Sequence, residues 1–361
     1  MIEPTLLSGF VVPADFIAKA IKATTSSDIK GLLSELPIVP DDDYAFTEEN
    51  AEKGWQPGKF HWVPVGRERG NAGRITLAAT PINPIAERTI NGMEAIIELA
   101  RARELLQDPK APAPKSPRDA VTHYFQIPTL DQIPKLDKSE ASKAARTRAR
   151  ELARHLRVRV LFDKPSREFT VGIEDDGIGQ TPEMIHKTLL SLGTTTKGDK
   201  FYLIGVFGQG GSSAYSECDY SWVISRRAKD VLDGRTDGVG WTIIKRIYPK
   251  ERRDDYFAYL ACHPDGRVPF VSAADADAAN IGHGTRFVHI GYDFGRSGSA
   301  ITRQLYQAMN HVLYNPVLPF ELFVAGTAAP MYGNGYRLSS LTTDKSKPPL
   351  DKTFPPQPVG V

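Results

Sequence analysis

Cysteine is scarce: only Cys218 and Cys262 occur in 361 residues. Neither has a CxxC partner or a histidine at zinc-ligand spacing, which argues against a structural zinc site. Two buried free thiols are the expectation. No Lys or Arg precedes Lys19, so the basic start of a signal peptide is missing. No apolar run reaches the length of a bilayer span, and no membrane partner is expected. A reducing, cytoplasmic location follows as the default. Neither sign of charge is in excess. Lys plus Arg number 45 and Asp plus Glu 43, a net charge of +2. That balance leaves a nucleic-acid partner open, because a local patch can hide inside a neutral total. Internal repeats are also absent, so the length must be filled by two domains or by one large domain with additions.

What is present is a helical first half and a strand-rich second half. A short helical segment covers residues 14–36, and an acidic loop follows at Asp41, Asp42 and Asp43. Residues 60–65 and 74–78 read as two strands around a glycine-containing loop. Pro84 opens a strong helix through Ala102, with Ile85, Ile90, Met93 and Ile97 at helical spacing. Residues 107–140 are Pro-rich and read as irregular. A second helix spans about 139–156. Residues 157–163 and 168–174 alternate as a strand pair, and 182–192 is helical. Four further strands are expected at 220–225, 240–247, 256–262 and 285–290, then a helix at 299–313 and a strand at 320–324. The last stretch, from about residue 331, reads as a Pro-rich linker or tail.

Three segments carry chemistry. The first is Glu87–Ala95 (ERTINGMEA). Glu87, Asn91 and Glu94 fall at i, i+4 and i+7, hence on one helix face. A carboxylate above an amide suits nucleotide hydrolysis: the carboxylate orients and deprotonates water, and the amide oxygen holds Mg²⁺. An exposed polar face explains this segment alone equally well. The second is Val171–Gln180 (VGIEDDGIGQ), an apolar strand running into carboxylates and glycines. Asp175 at the strand end can accept a hydrogen bond from an exocyclic amine. Gly177 and Gly179 allow a sharp turn and close approach to a flat ligand. A plain Asp-Gly turn is the simpler alternative. The third is Leu203–Tyr215 (LIGVFGQGGSSAY). Its glycines free backbone N–H groups for phosphate. No Gly-Lys-Ser/Thr follows, so it is not a Walker A loop.

In order and spacing these segments resemble the GHKL ATPases, the superfamily of gyrase, the ninety-kilodalton heat-shock chaperone, histidine kinases and MutL. Glu87, Asn91 and Glu94 look like its N-box, and Asp175, Gly177 and Gly179 like its DxGxG motif. Gly205, Phe207, Gly208, Gln209, Gly210 and Gly211 look like its glycine-rich lid motif, and Gly284-Thr285 like its late Gly-Thr. The chaperone-like and MORC-like branches are most similar. The resemblance implies an α+β fold of the Bergerat type: a two-layer sandwich with a mixed, mostly antiparallel sheet and helices on one face. Residues 81–330 would form the ATPase domain, with an insertion at about 103–156, and residues 1–80 an extension packed on it. The implied ligands are ATP and Mg²⁺. Glu87 would be the general base, Asn91 the Mg²⁺ ligand, and Asp175 with Thr285 the adenine site. Residues 194–211 would be a lid, with Thr195 and Lys197 near the nucleotide and Lys200 a second candidate for phosphate contact. ATP-driven closure and homodimerisation follow from the same resemblance.

Several features depart from that pattern. Glu94 stands where the family has Asp, and Gly211 where the chaperones have a bulky aromatic. The gap between Asn91 and Asp175 is long and holds a basic run, Lys143–Arg159, that can bind phosphate backbones or simply be a solvated face. Too little chain follows Val324 for the second domain that supplies a Lys or Arg in many relatives. A fragment of a longer protein, acting on nucleic acid or protein clients, is therefore expected, with slow hydrolysis. His283 sits beside Gly284-Thr285 and can approach a nucleotide. The alternatives are an ATP-sensing module without significant hydrolysis, and a histidine-kinase-like protein kinase.

Overall fold

Alternating β-branched and aromatic residues drive most of the strand structure, and one long apolar-striped helix organises the rest. The structure is a computed structural model and describes residues 14–40, 54–75, 80–192, 200–204, 210–249, 254–295 and 298–343. Two short helices come first, α1 (Ala14–Lys22) and α2 (Ser26–Ser34), then β1 (His61–Pro64) and the single-turn α3 (Ala72–Ile75). The long α4 (Ile82–Gln107) follows, then α5 (Pro117–Phe125) and α6 (Glu140–Leu152). The hairpin β2 (Leu156–Asp163) and β3 (Glu168–Asp175) leads into α7 (Pro182–Thr188). Next come β4 (Tyr220–Arg226), β5 (Gly238–Ile247), β6 (Tyr256–Ala261), β7 (Phe270–Ser272), α8 (Ala273–Ala278) and β8 (Gly284–Ile290). The described chain closes with α9 (Gly298–Val312), β9 (Phe320–Val324), β10 (Thr327–Met331) and α10 (Gly333–Thr343).

The strands form one sheet in the order β1-β6-β5-β4-β8-β3-β2-β9-β10, with β7 beside β5. All the pairings between these strands are antiparallel except β2 with β9. The protein is therefore α+β with a mixed, mostly antiparallel sheet. Register places Asp175 opposite Thr285, and Thr285 opposite Ser225. Three polar side chains thus line up across the ends of β3, β8 and β4. Each outer strand carries a proline, Pro64 in β1 and Pro330 in β10.

Both faces of the sheet are covered. Ile85, Met93, Ile96 and Ile97 of α4 pack with Val158, Val171 and Ile173 on one face, joined by Leu305 and Met309 of α9. On the other face, Phe16 and Ile17 of α1 and Ile29 and Leu32 of α2 pack on Trp222, Trp241, Val288 and Ile290. Side chains alternate along a strand, so Val223 and Phe287 point to the α4 side while Trp222 and Val288 point away. Thr25 fixes the start of α2 with a reciprocal capping box to Asp28. Thr170 Oγ1 then donates to Thr24 O, tying the α1–α2 corner to β3. Helices confined to one face are the expectation from the family resemblance; the apolar spacing of α1 and α2 instead gives the second face its cover.

Other local readings also shift. Residues 72–75 are helical rather than the start of a strand, and β1 pairs antiparallel with β6. The Pro-rich stretch contains α5, because Ser116 caps it by accepting from Asp119 N and Pro117 sits in its first turn. Beyond residue 331, α10 docks where Gly335 N donates to Tyr314 O.

Phe16 has its ring centroid 5.1 Å from that of Trp241 and 6.3 Å from that of Trp222. Truncation to alanine should cost about 3–5 kcal/mol in urea unfolding and shift tryptophan emission to the red. Unchanged stability and emission would show that α1 does not cover these indoles.

Candidate functional site

A cavity of ≈ 210 Å³ opens between α4, α7, the ends of β3 and β8, and the segment at Gly211 and Ser212. Its position follows from glycines that let backbone meet backbone. A Cβ on Gly92 of α4 would lie 2.5 Å from Leu156 and 3.3 Å from Asp175 Cβ, so the helix can rest on the β2–β3 hairpin only without it. A Cβ on Gly177 would lie 2.5 Å from Ala95. With that contact open, Ile178 N donates to Ala95 O at 2.9 Å and locks the loop after β3 onto mid-helix. Gly179 has φ +62, and a side chain there would strike Arg226 O. The close approach of Gly177 and Gly179 is thus first an approach to this chain's own backbone, although Gly179 also lines the cavity.

Asp175 lies on the floor of the cavity and is 8 % exposed. Gly177 N donates to its Oδ1 at 2.9 Å. Burial pushes the carboxyl up to about 7; the amides of Gly177 and Thr285 oppose the shift, and the neighbouring charges of Asp176 and Glu174 add to it. Thr285 lines the same cavity, and its Oγ1 lies 2.9 Å from Ser225 Oγ, which also accepts from Gln180 N. Asp176 turns the other way, to Arg157 at 2.6 Å and His155 at 2.9 Å. One aspartate of the pair is therefore available to the cavity, as strand alternation requires.

The polar face of α4 descends from solvent into the protein. Glu87 is exposed and lies outside the cavity lining, one turn before Asn91. Asn91 is half-buried on the wall, and Glu94 is 2 % exposed. Glu94 Oε1 accepts from Ile204 N at 2.7 Å, and Glu98, one turn further, pairs with Lys200. Two carboxylates at i and i+4 thus hold the 200–204 segment against the helix. Glu94 therefore has a definite role here, bridging α4 to that backbone. Gly211 faces Asn91 and Arg88 so closely that a Cβ would lie 3.1 Å from each. Gly210 begins the 3₁₀ segment Gly210–Glu217. Thr195, Lys197, Gly205, Phe207, Gly208 and Gln209 lie outside the described residues.

The structure adds lining residues to which the motifs assign no role, Arg88 and Gln180 within the quoted segments and Lys187 beyond them. Arg88 falls on the buried stripe with Ile85, Gly92 and Ile96. Lys187 projects from α7, whose role no motif signals. His283 lines a neighbouring pocket that shares Asp175 and Thr285, and its Nδ1 lies 2.9 Å from Gly177 O. The basic run also divides. Arg146 and Arg148 donate to the carbonyls of Leu136, Asp137 and Gln126, while Arg157 lies on β2. Both thiols are free, Cys262 buried and Cys218 partly so, and burial pushes each up to about 12.

Asp175 also makes a pH prediction. Its carboxyl rises from an ordinary 3.8 to about 7 on folding, so the folded chain holds the proton more tightly. Its contribution to stability is full below the lower value and is lost as pH rises through the upper one. Asp175→Asn should therefore raise Tm relative to the parent increasingly between about pH 4 and pH 8, read by differential scanning fluorimetry. A Tm difference independent of pH would refute the buried, protonated carboxyl. No protein-family model matches the chain, and no curated protein matches it significantly by sequence.

Proposed function

We propose that this cavity binds ATP and that the protein is a Mg²⁺-dependent ATPase of the GHKL type with a Bergerat fold. The observation that carries the reading is the buried Asp175 carboxyl at the end of β3, level with Thr285 and open to the same cavity as Asn91 and Gly211. A carboxyl shielded from solvent accepts from an exocyclic amine far better than one competing with water. Asn91 then lies on the wall toward which the phosphates extend.

Mg²⁺ fits this donor set in one way. Among the described residues no cluster of three or more His, Cys, Asp or Glu side chains forms a cage of its own. Mg²⁺ commonly takes one or two protein oxygens and completes its shell with phosphate and water. The Asn91 amide oxygen would be the protein ligand, and the ion would neutralise phosphate charge when bound. Glu94 and Glu98 hold the 200–204 segment, so closure of the glycine-rich segment over the nucleotide would start from that anchor. Dimerisation on ATP binding belongs to the same proposal.

Glu87 supports a second reading. A general base must reach the water it activates, within about 2.6–3.2 Å. Glu87 is exposed and outside the cavity lining, which favours an ATP-sensing module unless closure brings the γ-phosphate to it.

Calorimetry with Mg-ATP should show binding by the parent chain and a loss of about tenfold or more in Asp175→Asn, which the stability prediction keeps folded. Absence of ATP binding by the parent chain would end the ATPase reading. If ATP binds, Glu87→Ala separates the two readings by phosphate release. A fall of about a hundredfold or more makes Glu87 the base, and an unchanged rate makes the module a sensor.

A further inference from the structure

Arg88 is a buried cation whose hydrogen bonds are not all made. It is 6 % exposed, on the core stripe of α4. Its guanidinium carbon lies 3.7 Å from the centroid of Phe287 and 5.2 Å from that of Tyr215. Nε and Nη2 are buried without a hydrogen-bond partner among the described residues. A guanidinium offers five donors in a rigid fork and stays charged. Stacking on aromatic rings recovers part of the cost of removing it from water, and none of the cost of its unmade hydrogen bonds. The cavity's two glutamates are engaged with Ile204 N and Lys200.

The group is also placed to meet a ligand. Arg88 lines the cavity with Asn91 and Gly211. Gly211 keeps the space between them clear, because its missing Cβ would lie 3.1 Å from both Arg88 Nη1 and Asn91 Nδ2. A guanidinium whose Nη1 lies beside a glycine on the wall of a cavity, with two further donors unpaired behind it, has the donors and the charge to receive oxyanion oxygens.

We propose that Arg88 is the anion-binding centre of this cavity and takes the terminal phosphate of a nucleoside triphosphate. The assignment to a nucleotide rests on the ATP-site reading; the assignment to an anion rests on Arg88 alone. Phosphate oxygens between Nη1 and Asn91 would compensate the buried guanidinium charge. They also let a cation at Asn91 sit near a fixed positive charge, which like-charge repulsion otherwise opposes.

The test compares the full chain with Arg88→Met and Arg88→Lys, using calorimetry and thermal shift with Mg-ATP, adenosine and inorganic tripolyphosphate. Arg88→Met should lose about tenfold or more in affinity for Mg-ATP and tripolyphosphate and keep its affinity for adenosine. Its unliganded Tm should equal or exceed that of the parent chain, because an unsatisfied charge has been removed. Arg88→Lys should retain charge and part of the affinity, and it carries the ligand comparison if the methionine variant fails to fold. Equal Mg-ATP binding by parent and variants would overturn the role of Arg88 and leave the nucleotide reading standing. Tripolyphosphate binding that needs Arg88, with no binding of adenosine or Mg-ATP, would keep the anion site and remove the nucleotide reading. No binding of either anion by the parent chain would remove both.

Discussion

The contact between α4 and the turn after β3 sets the position of everything else in the cavity. Gly92 lets the helix lie on the hairpin, Gly177 lets the turn lie on the helix, and Ile178 N hydrogen-bonds Ala95 O between them. A methyl group at either glycine would lie 2.5 Å from a neighbouring carbon. At Gly177 the neighbour is the Ala95 backbone, so that overlap could not be relieved without lifting the helix, whereas at Gly92 the buried Leu156 side chain would have to give way. Lifting the helix would separate Asn91 from Asp175 and open the wall that Arg88 completes. The same 26-residue helix carries Asn91 and Arg88 and also grips the 200–204 segment through Glu94 and Glu98. Site geometry and the approach to the glycine-rich segment are therefore mechanically one unit.

Electrostatics distinguishes two parts of the cavity lining. At one, burial holds the Asp175 carboxyl up to about 7, beside the hydroxyls of Thr285 and Ser225. At the other, Arg88 is a positive charge with unmade hydrogen bonds beside an amide. On the reading proposed above, Asp175 would meet the polar ring of the ligand and Arg88 its negative charge.

The parts of this arrangement that are legible in the sequence are those with a short period. The β2–β3 hairpin, the helical stripe of α4 and the choice of Asp175 over Asp176 all follow from alternation or helical spacing. Three parts are not so readily read. Arg88 is masked because the polar residues around it mark one face from Glu87 to Glu94, whereas Arg88 belongs to the apolar face beside it. The cover on the second sheet face is masked because nothing in α1 or α2 says which side of a sheet they meet. Trp222 and Trp241, on strands far along the chain, decide that through tertiary packing. Finally, α5 is masked by the prolines around it, although Ser116 and Pro117 form a cap and first turn.

The two outer strands end the sheet in the same manner. Pro64 on β1 and Pro330 on β10 each remove a backbone donor where a further strand would seek one. The bridge from Ile38 to Phe60 shields the chain just before β1. Neither margin is thus a good template for growth by strand addition.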